Sequence, residues 1–299
     1  MASFFDEIAR NKMKSILLLF LFSLLFVGII FLFTYFLGLG IFGLIIAVVI
    51  VAAYALFVYF SGEKFVLKVS GAKPADKNSN PYLYDTVEGL AAASQLPMPK
   101  IYIINDPNPN AFATGRNKNH SYVVVTSGLL SMMNKTELQG VLAHEISHIY
   151  NNDILFMLIA VIFVGAIGII AAIARTSLFF GGFGGGGRNN SGIILIIALV
   201  LGLLAPLFAM LIRLAISRRR EYMADANGAR IIRNPQALAN ALKKIEQYSK
   251  NPQAQPAKNV NANIAPLYFS NPIKKSSLMN LFSTHPPIEE RIKRLEKMY

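Results

Sequence analysis

Apolar positions along this chain follow two patterns. Four blocks are hydrophobic almost without interruption: Ile16–Leu37, Ile41–Phe60, Ile154–Ala174 and Ile193–Ile216. Each is long enough to cross a hydrocarbon core as a helix, which takes about 20 residues. Elsewhere the apolar positions are spaced and polar residues fill the gaps. Pro81–Gln95 reads as a helix, with Asn80 as cap and Pro81 in the first turn. Lys100–Ile104 and Ser121–Thr126 are β-branched and aromatic runs bounded by turn residues, and read as strands. Between them, "NPNAFATGRNKN" reads as a loop with a short extended piece at Ala111–Thr114. Asn134 and Glu137 have capping-box spacing, which predicts a helix from Lys135 to about Tyr150. "SRRREYMADANGARII" reads as helical, and Asn234-Pro235 opens another helix that ends near Lys250. Residues 251–280, rich in Pro, Asn and Ser, are expected to be a loop. Pro287–Tyr299 closes the chain with an amphipathic helix on Ile288, Ile292 and Leu295.

These patterns predict a mainly α protein with a small β-sheet and four transmembrane helices. Residues 1–60 form a first transmembrane hairpin (spans 16–37 and 41–60) and 154–216 a second (spans 154–174 and 193–216). The turns fall at Gly38–Gly40 and Gly181–Gly192. Two soluble segments, 61–153 and 217–299, make one domain. The first block is as long as a spanning helix, runs almost directly into a second and lacks a small-residue cleavage site, so it does not read as a cleavable signal. Phe180–Asn190 ("FGGFGGGGRNN") lacks the Gly-Lys-Ser/Thr of a phosphate loop and reads as a flexible connector.

Composition agrees. Hydrophobic residues make up 54% of the 299 and charged residues only 15%, with a mean hydropathy of +0.46. That is too apolar for an ordinary soluble domain. The net charge of +13 suggests nucleic acid at first sight, but its distribution argues for a bilayer. Of the Lys and Arg residues, only Arg175, Arg188 and Arg213 lie outside the two soluble segments and the N-terminus. This positive-inside pattern places both termini and the central segment in the cytoplasm. The basic charge then faces anionic headgroups, and no nucleic-acid partner is expected. The chain has no cysteine, hence no disulfide and no thiolate metal ligand.

The predicted helix 135–150 carries His144, Glu145 and His148 in the order H-E-x-x-H. Residues four apart share a helix face, so both imidazoles can point at one metal. Glu145, next to His144, can serve as base without binding the metal. A catalytic zinc uses protein ligands on one side and an open position for water. Two of the protein's four histidines fall in this motif. A third ligand is required, and the candidates are His120, His285 or a carboxylate. Glu221 is the best placed. His148 precedes the third apolar block and Glu221 follows the fourth, so both hang from the cytoplasmic ends of one hairpin. Asp225, one turn from Glu221, can accept a hydrogen bond from a ligand imidazole and fix its tautomer.

"HEISH" and "SRRREYMAD", with "PNAFATG" (Pro109–Gly115), "SGLL" (Ser127–Leu130) and "STHPP" (Ser283–Pro287), resemble the M48 family of membrane zinc metallopeptidases. The resemblance runs over nearly the whole chain and is weakest in 251–280. It implies a gluzincin-like, cytoplasmic metallopeptidase domain binding one Zn2+ per subunit through His144, His148 and Glu221, with Glu145 as general base. It also implies quality control of unfolded or membrane-protein polypeptides at a bacterial cytoplasmic (inner) membrane, and places His285 near the site. The prenyl-protein branch shares these motifs but has more spans, so it ranks second. A non-proteolytic membrane scaffold with a structural metal is the competing class. Asn110 and Ala111 are expected on an edge strand along which substrate lies extended. Asp153 is a further acceptor candidate beside the metal helix.

Overall fold

The computed structural model describes residues 39–159, 218–250 and 286–298, with 23–28 and the positions Met13, Leu17, Phe20, Leu21, Ile30, Phe31, Tyr35, Ile162 and Phe269. The fourth apolar block, the Gly-rich connector, most of the third block, the expected 251–280 loop apart from Phe269, and His285 lie outside the described residues.

The second apolar block is the start of a single helix, α1 (Gly40–Val69, 30 residues). Its length is about 45 Å at 1.5 Å per residue, against about 30 Å for a hydrocarbon core. It is long and apolar enough to cross a membrane. Ile41, Phe42, Ile45, Val49, Leu56 and Phe60 are all exposed on it, far more apolar surface than a water-facing helix carries. The span expected to end at Phe60 continues as helix to Val69. That end turns inward, burying Glu63, Val66 and Leu67.

After α1 come β1 (Lys73–Pro74), α2 (Pro81–Ala93), β2 (Lys100–Ile104), β3 (Ala111–Asn117), β4 (His120–Thr126), α3 (Ser127–Met132) and α4 (Lys135–Tyr150). The later part supplies α5 (Arg218–Ile232), α6 (Pro235–Lys250) and α7 (Ile288–Glu296). The strands form one mixed sheet in the order β1-β2-β4-β3. β2 runs parallel to β4, and the other two pairings are antiparallel. β3 is longer than the extended piece expected at Ala111–Thr114, because its pairing with β4 continues through a bulge between Gly115 and Asn117.

The sheet is buried on both faces, and alternation along its strands assigns them. Ala111, Ala113, Val123 and Val125 face a core shared with Val141, Leu142 and Ile146 of α4 and Leu238 and Leu242 of α6. Phe112, Tyr122 and Val124 face the opposite way, onto Val58 and Val66 of α1 and onto Phe156, Leu158 and Ile159. One sheet therefore joins the core around α4 to the C-terminal end of α1.

Helix α4 is the central element. Its start is fixed as the sequence predicts: the Asn134 side chain accepts from Glu137 N–H, and the Glu137 carboxylate accepts from Asn134 N–H, both at 2.9 Å. From Glu137 to Ile149 nearly every residue is buried except Gln139, so other elements cover it on all sides. Two glycines let neighbours approach its backbone. A Cβ on Gly140 would lie 2.6 Å from Leu238 N of α6, and one on Gly228 of α5 would lie 3.0 Å from His144 N.

Candidate active site and metal centre

His144 and His148 lie one turn apart on α4, with Nε2 atoms 3.1 Å from each other. Glu221 approaches from α5. Its Oε2 is 3.7 Å from His144 Nε2 and its Oε1 is 3.6 Å from His148 Nε2. One ligand atom from each residue lies within 4.8 Å of the others, and all three residues are at most 3% exposed. Glu221, Asp225 and Gly228, at i, i+4 and i+7, line one face of α5. The close approach that Gly228 permits brings that face to His144.

The other nitrogen of each ring is held by a carboxylate. His144 Nδ1 lies 2.9 Å from Asp225 Oδ1 and His148 Nδ1 lies 3.1 Å from Asp153 Oδ2. Asp153 reaches back because α4 ends at Tyr150, with Asn151 as its C-cap, and Asn152 turns the chain at φ 59°, a left-handed conformation that asparagine tolerates. The helical run then restarts at Asp153. A carboxylate only accepts, so each Nδ1 carries a proton, and a neutral ring then presents an Nε2 lone pair. At 3.1 Å the two Nε2 atoms need a shared positive charge between them, a proton or a metal ion.

The donor set is the test of whether the residues suit a metal, and they pass it. Two imidazoles and one carboxylate form a donor set suited to a transition metal. Burial, aided by the Arg291 charge, pushes the His144 pKa down to about 4 despite its bond to Asp225. At this spacing only one ring of the pair can hold an extra proton on Nε2. Burial opposes that proton on His148 too, but the Asp153 hydrogen bond and the nearby carboxylates of Glu221 and Glu145 outweigh it and push that pKa up to about 9.

Glu145 is also buried, which pushes its pKa up to about 7, chiefly by desolvation. Ala113 N–H of β3 donates to its carboxylate and opposes that rise. A base near neutral pKa is suited to taking a proton at physiological pH and giving it back. The expected edge strand is present, since β3 ends the sheet order. Asn110 and Ala111 are buried at its start, with Asn110 N–H donating to Thr126 Oγ1 at 2.8 Å. His120, an open candidate for third ligand, is exposed at the β3–β4 turn beside Asn117. His285 lies outside the described residues.

Sequence reasoning missed Arg291. It is fully buried, donating from Nε and Nη2 to the two oxygens of Asp225 at 2.9 and 2.7 Å, with Nη1 3.9 Å from Glu221 Oε2. A signal existed. Ile288, Arg291, Ile292 and Leu295 share one face of α7, so an arginine occupies an apolar-stripe position. Arg220 was missed as well. It packs over the Phe156 ring at 4.2 Å, with Nε 4.0 Å from Asp153. Phe269, with its ring 5.0 Å from His144, had no signal in the sequence.

A helical metal motif beside a sheet edge, completed by a carboxylate from a second helix, defines a metallopeptidase. Comparison with known proteins names its kind: the family profile of peptidase family M48 matches residues 77–299, and the chain belongs to that family. It is 43% identical over 296 residues to a Protease HtpX homolog of Dictyoglomus thermophilum, covering 99% of this chain and 95% of the relative. It is 44% identical over 294 residues to the Protease HtpX homolog of Tropheryma whipplei strain Twist, covering 98% of each. The crystal structure of S. mikatae Ste24p shares the fold, with a TM-score of 0.50 at 22% identity over 83% of this chain and 57% of that one.

Proposed function

We propose that this membrane metallopeptidase is a zinc-dependent endopeptidase of protein quality control. His144, His148 and Glu221 hold one zinc ion per subunit and Glu145 is the general base. The observation that carries this reading is the convergence of His144 Nε2 and His148 Nε2, 3.1 Å apart, with the Glu221 carboxylate on the third side. Bound zinc would acidify a water and polarise the scissile carbonyl. Glu145 takes the proton of the attacking water and delivers it to the leaving amine. Asp225 and Asp153 hold the ligand imidazoles in one tautomer. Substrate lies along β3, whose backbone pairs with peptide while reading little sequence. That suits unfolded or damaged membrane-protein polypeptides.

The chain has four spans in the bacterial cytoplasmic (inner) membrane, with both termini and both soluble segments, 61–153 and 217–299, on the cytoplasmic side. The metal site would then lie just beyond the headgroups, since His148 is only a few residues from the start of the third apolar block. The test uses detergent-purified protein on unfolded casein, with chelator and then added zinc. Chelation should abolish cleavage and zinc should restore it. Glu145→Gln should keep the metal and lose about 10²–10⁴-fold in rate, the usual worth of a general base. Full cleavage by that variant would remove Glu145 from its role. Four protein ligands in the first shell, counted by X-ray absorption, would instead mark a closed structural site.

A further inference from the structure

The sheet edge beside His144 is already in use. The Asn110 carbonyl accepts from Thr126 N–H at 3.0 Å. Antiparallel pairing alternates, so in the register Ala111↔Val125, Ala113↔Val123 the amides of Ala111 and Ala113 turn away from β4. Three of these outward groups have partners within the chain. Ala111 N–H donates to Asn110 Oδ1 at 3.1 Å, and Ala113 N–H donates to Glu145. The Ala111 carbonyl accepts from Phe269 N–H at 2.8 Å. This last bond is one that an added strand would make.

The Phe269 side chain is only 2% exposed. Its ring stands edge-on to the His144 imidazole, with centroids 5.0 Å apart, and the Arg291 guanidinium lies 4.7 Å from its centroid. A backbone donor paired to an edge strand, with its side chain packed into the fold, is how a residue of an extended peptide is held in strand addition.

We propose that the pocket formed by His144, Arg291 and the Ala111 carbonyl is a substrate subsite for a large aromatic side chain, and that Phe269 fills it as an internal competitor. This rests on the edge-strand mode of substrate binding proposed above. The guanidinium favours an aromatic ring over an aliphatic chain, because a cation is attracted to the ring face. The backbone hydrogen bond is blind to sequence, so selectivity falls on the side chain. Substrate binding then requires Phe269 to give up both the carbonyl and the pocket.

The test uses the full-length, zinc-loaded protein and fluorogenic peptides that differ at one position, scanned with Phe, Leu, Ala and Asp. One position should favour Phe. Phe269→Ala should lower KM for the Phe peptide by roughly tenfold, about 1.4 kcal/mol, so that kcat/KM rises. A packing role predicts the opposite, and an unchanged or raised KM with a lower melting temperature would overturn the proposal. Turnover can be avoided by measuring anisotropy of a labelled Phe peptide on Glu145→Gln protein. Kd should fall when Phe269→Ala is added, and no change would count against the subsite. Failure of the underlying mechanism reads differently: zinc and Glu145 would then be dispensable for cleaving every peptide in the panel.

Discussion

Arg291 is a guanidinium at 0% exposure, and its partner Asp225 in turn holds His144. Their mutual charge overcomes the cost of burial, keeping the Asp225 carboxyl well below its ordinary range and raising Arg291. The pair thus presents a fixed acceptor to Nδ1 of His144. Removing one partner of a buried ion pair costs about 3–5 kcal/mol. Arg291→Met should therefore lower the unfolding midpoint in denaturant markedly and weaken zinc retention. Asp225→Asn keeps the shape but removes the charge, and zinc affinity in a competitive chelator titration should fall about 10–100-fold. Unchanged affinity in Asp225→Asn would show that the tautomer is held by other means. Zinc should also be released more readily as pH falls, because protons compete for the same Nε2 lone pairs.

At the scale of elements, the site depends on how closely helices approach α4. Gly140→Ala would place a methyl group 2.6 Å from Leu238 N. Backbone cannot step aside as a flexible side chain can, so α4 and α6 must separate. Overpacking of this kind costs about 1–3 kcal/mol, to be read as a lower melting temperature by calorimetry. The junction of α1 with the sheet is a second such contact. Arg116, at the β3 bulge, donates to the Phe60 carbonyl at 3.3 Å and lies 3.6 Å from the buried Glu63 carboxylate. Its guanidinium also lies 5.5 Å from the Phe60 ring centroid. The strand that reaches Glu145 is thereby tied to the C-terminal half of α1. Arg116→Met should destabilise the protein, and Glu63→Gln in the same chain should recover part of the loss, because the stranded charge is then gone.

At the scale of the molecule, the expected topology can be read directly because the chain contains no cysteine. A single cysteine in place of Lys297, which is exposed, should react with an impermeant maleimide only after the membrane is opened. Ser191→Cys, in the connector between the last two apolar blocks, should react in intact cells. The reverse pattern would invert the proposed orientation.

What could be read from the chain alone was local or periodic. The capping box at Asn134, the one-turn spacing of His144 and His148, the apolar run of α1 and the i, i+4 pair Glu221 and Asp225 are all set by neighbours a few residues apart. Helix geometry converts such spacing into position without help from the rest of the fold. The pairings between distant segments were different. Asp225 serving His144, Arg291 entering from α7 to balance both Asp225 and Glu221, and Phe269 taking the Ala111 carbonyl join residues far apart in the sequence. Each depends on which helix faces pack and how closely, and that is decided by the summed burial of side chains across the whole core rather than by any one stretch.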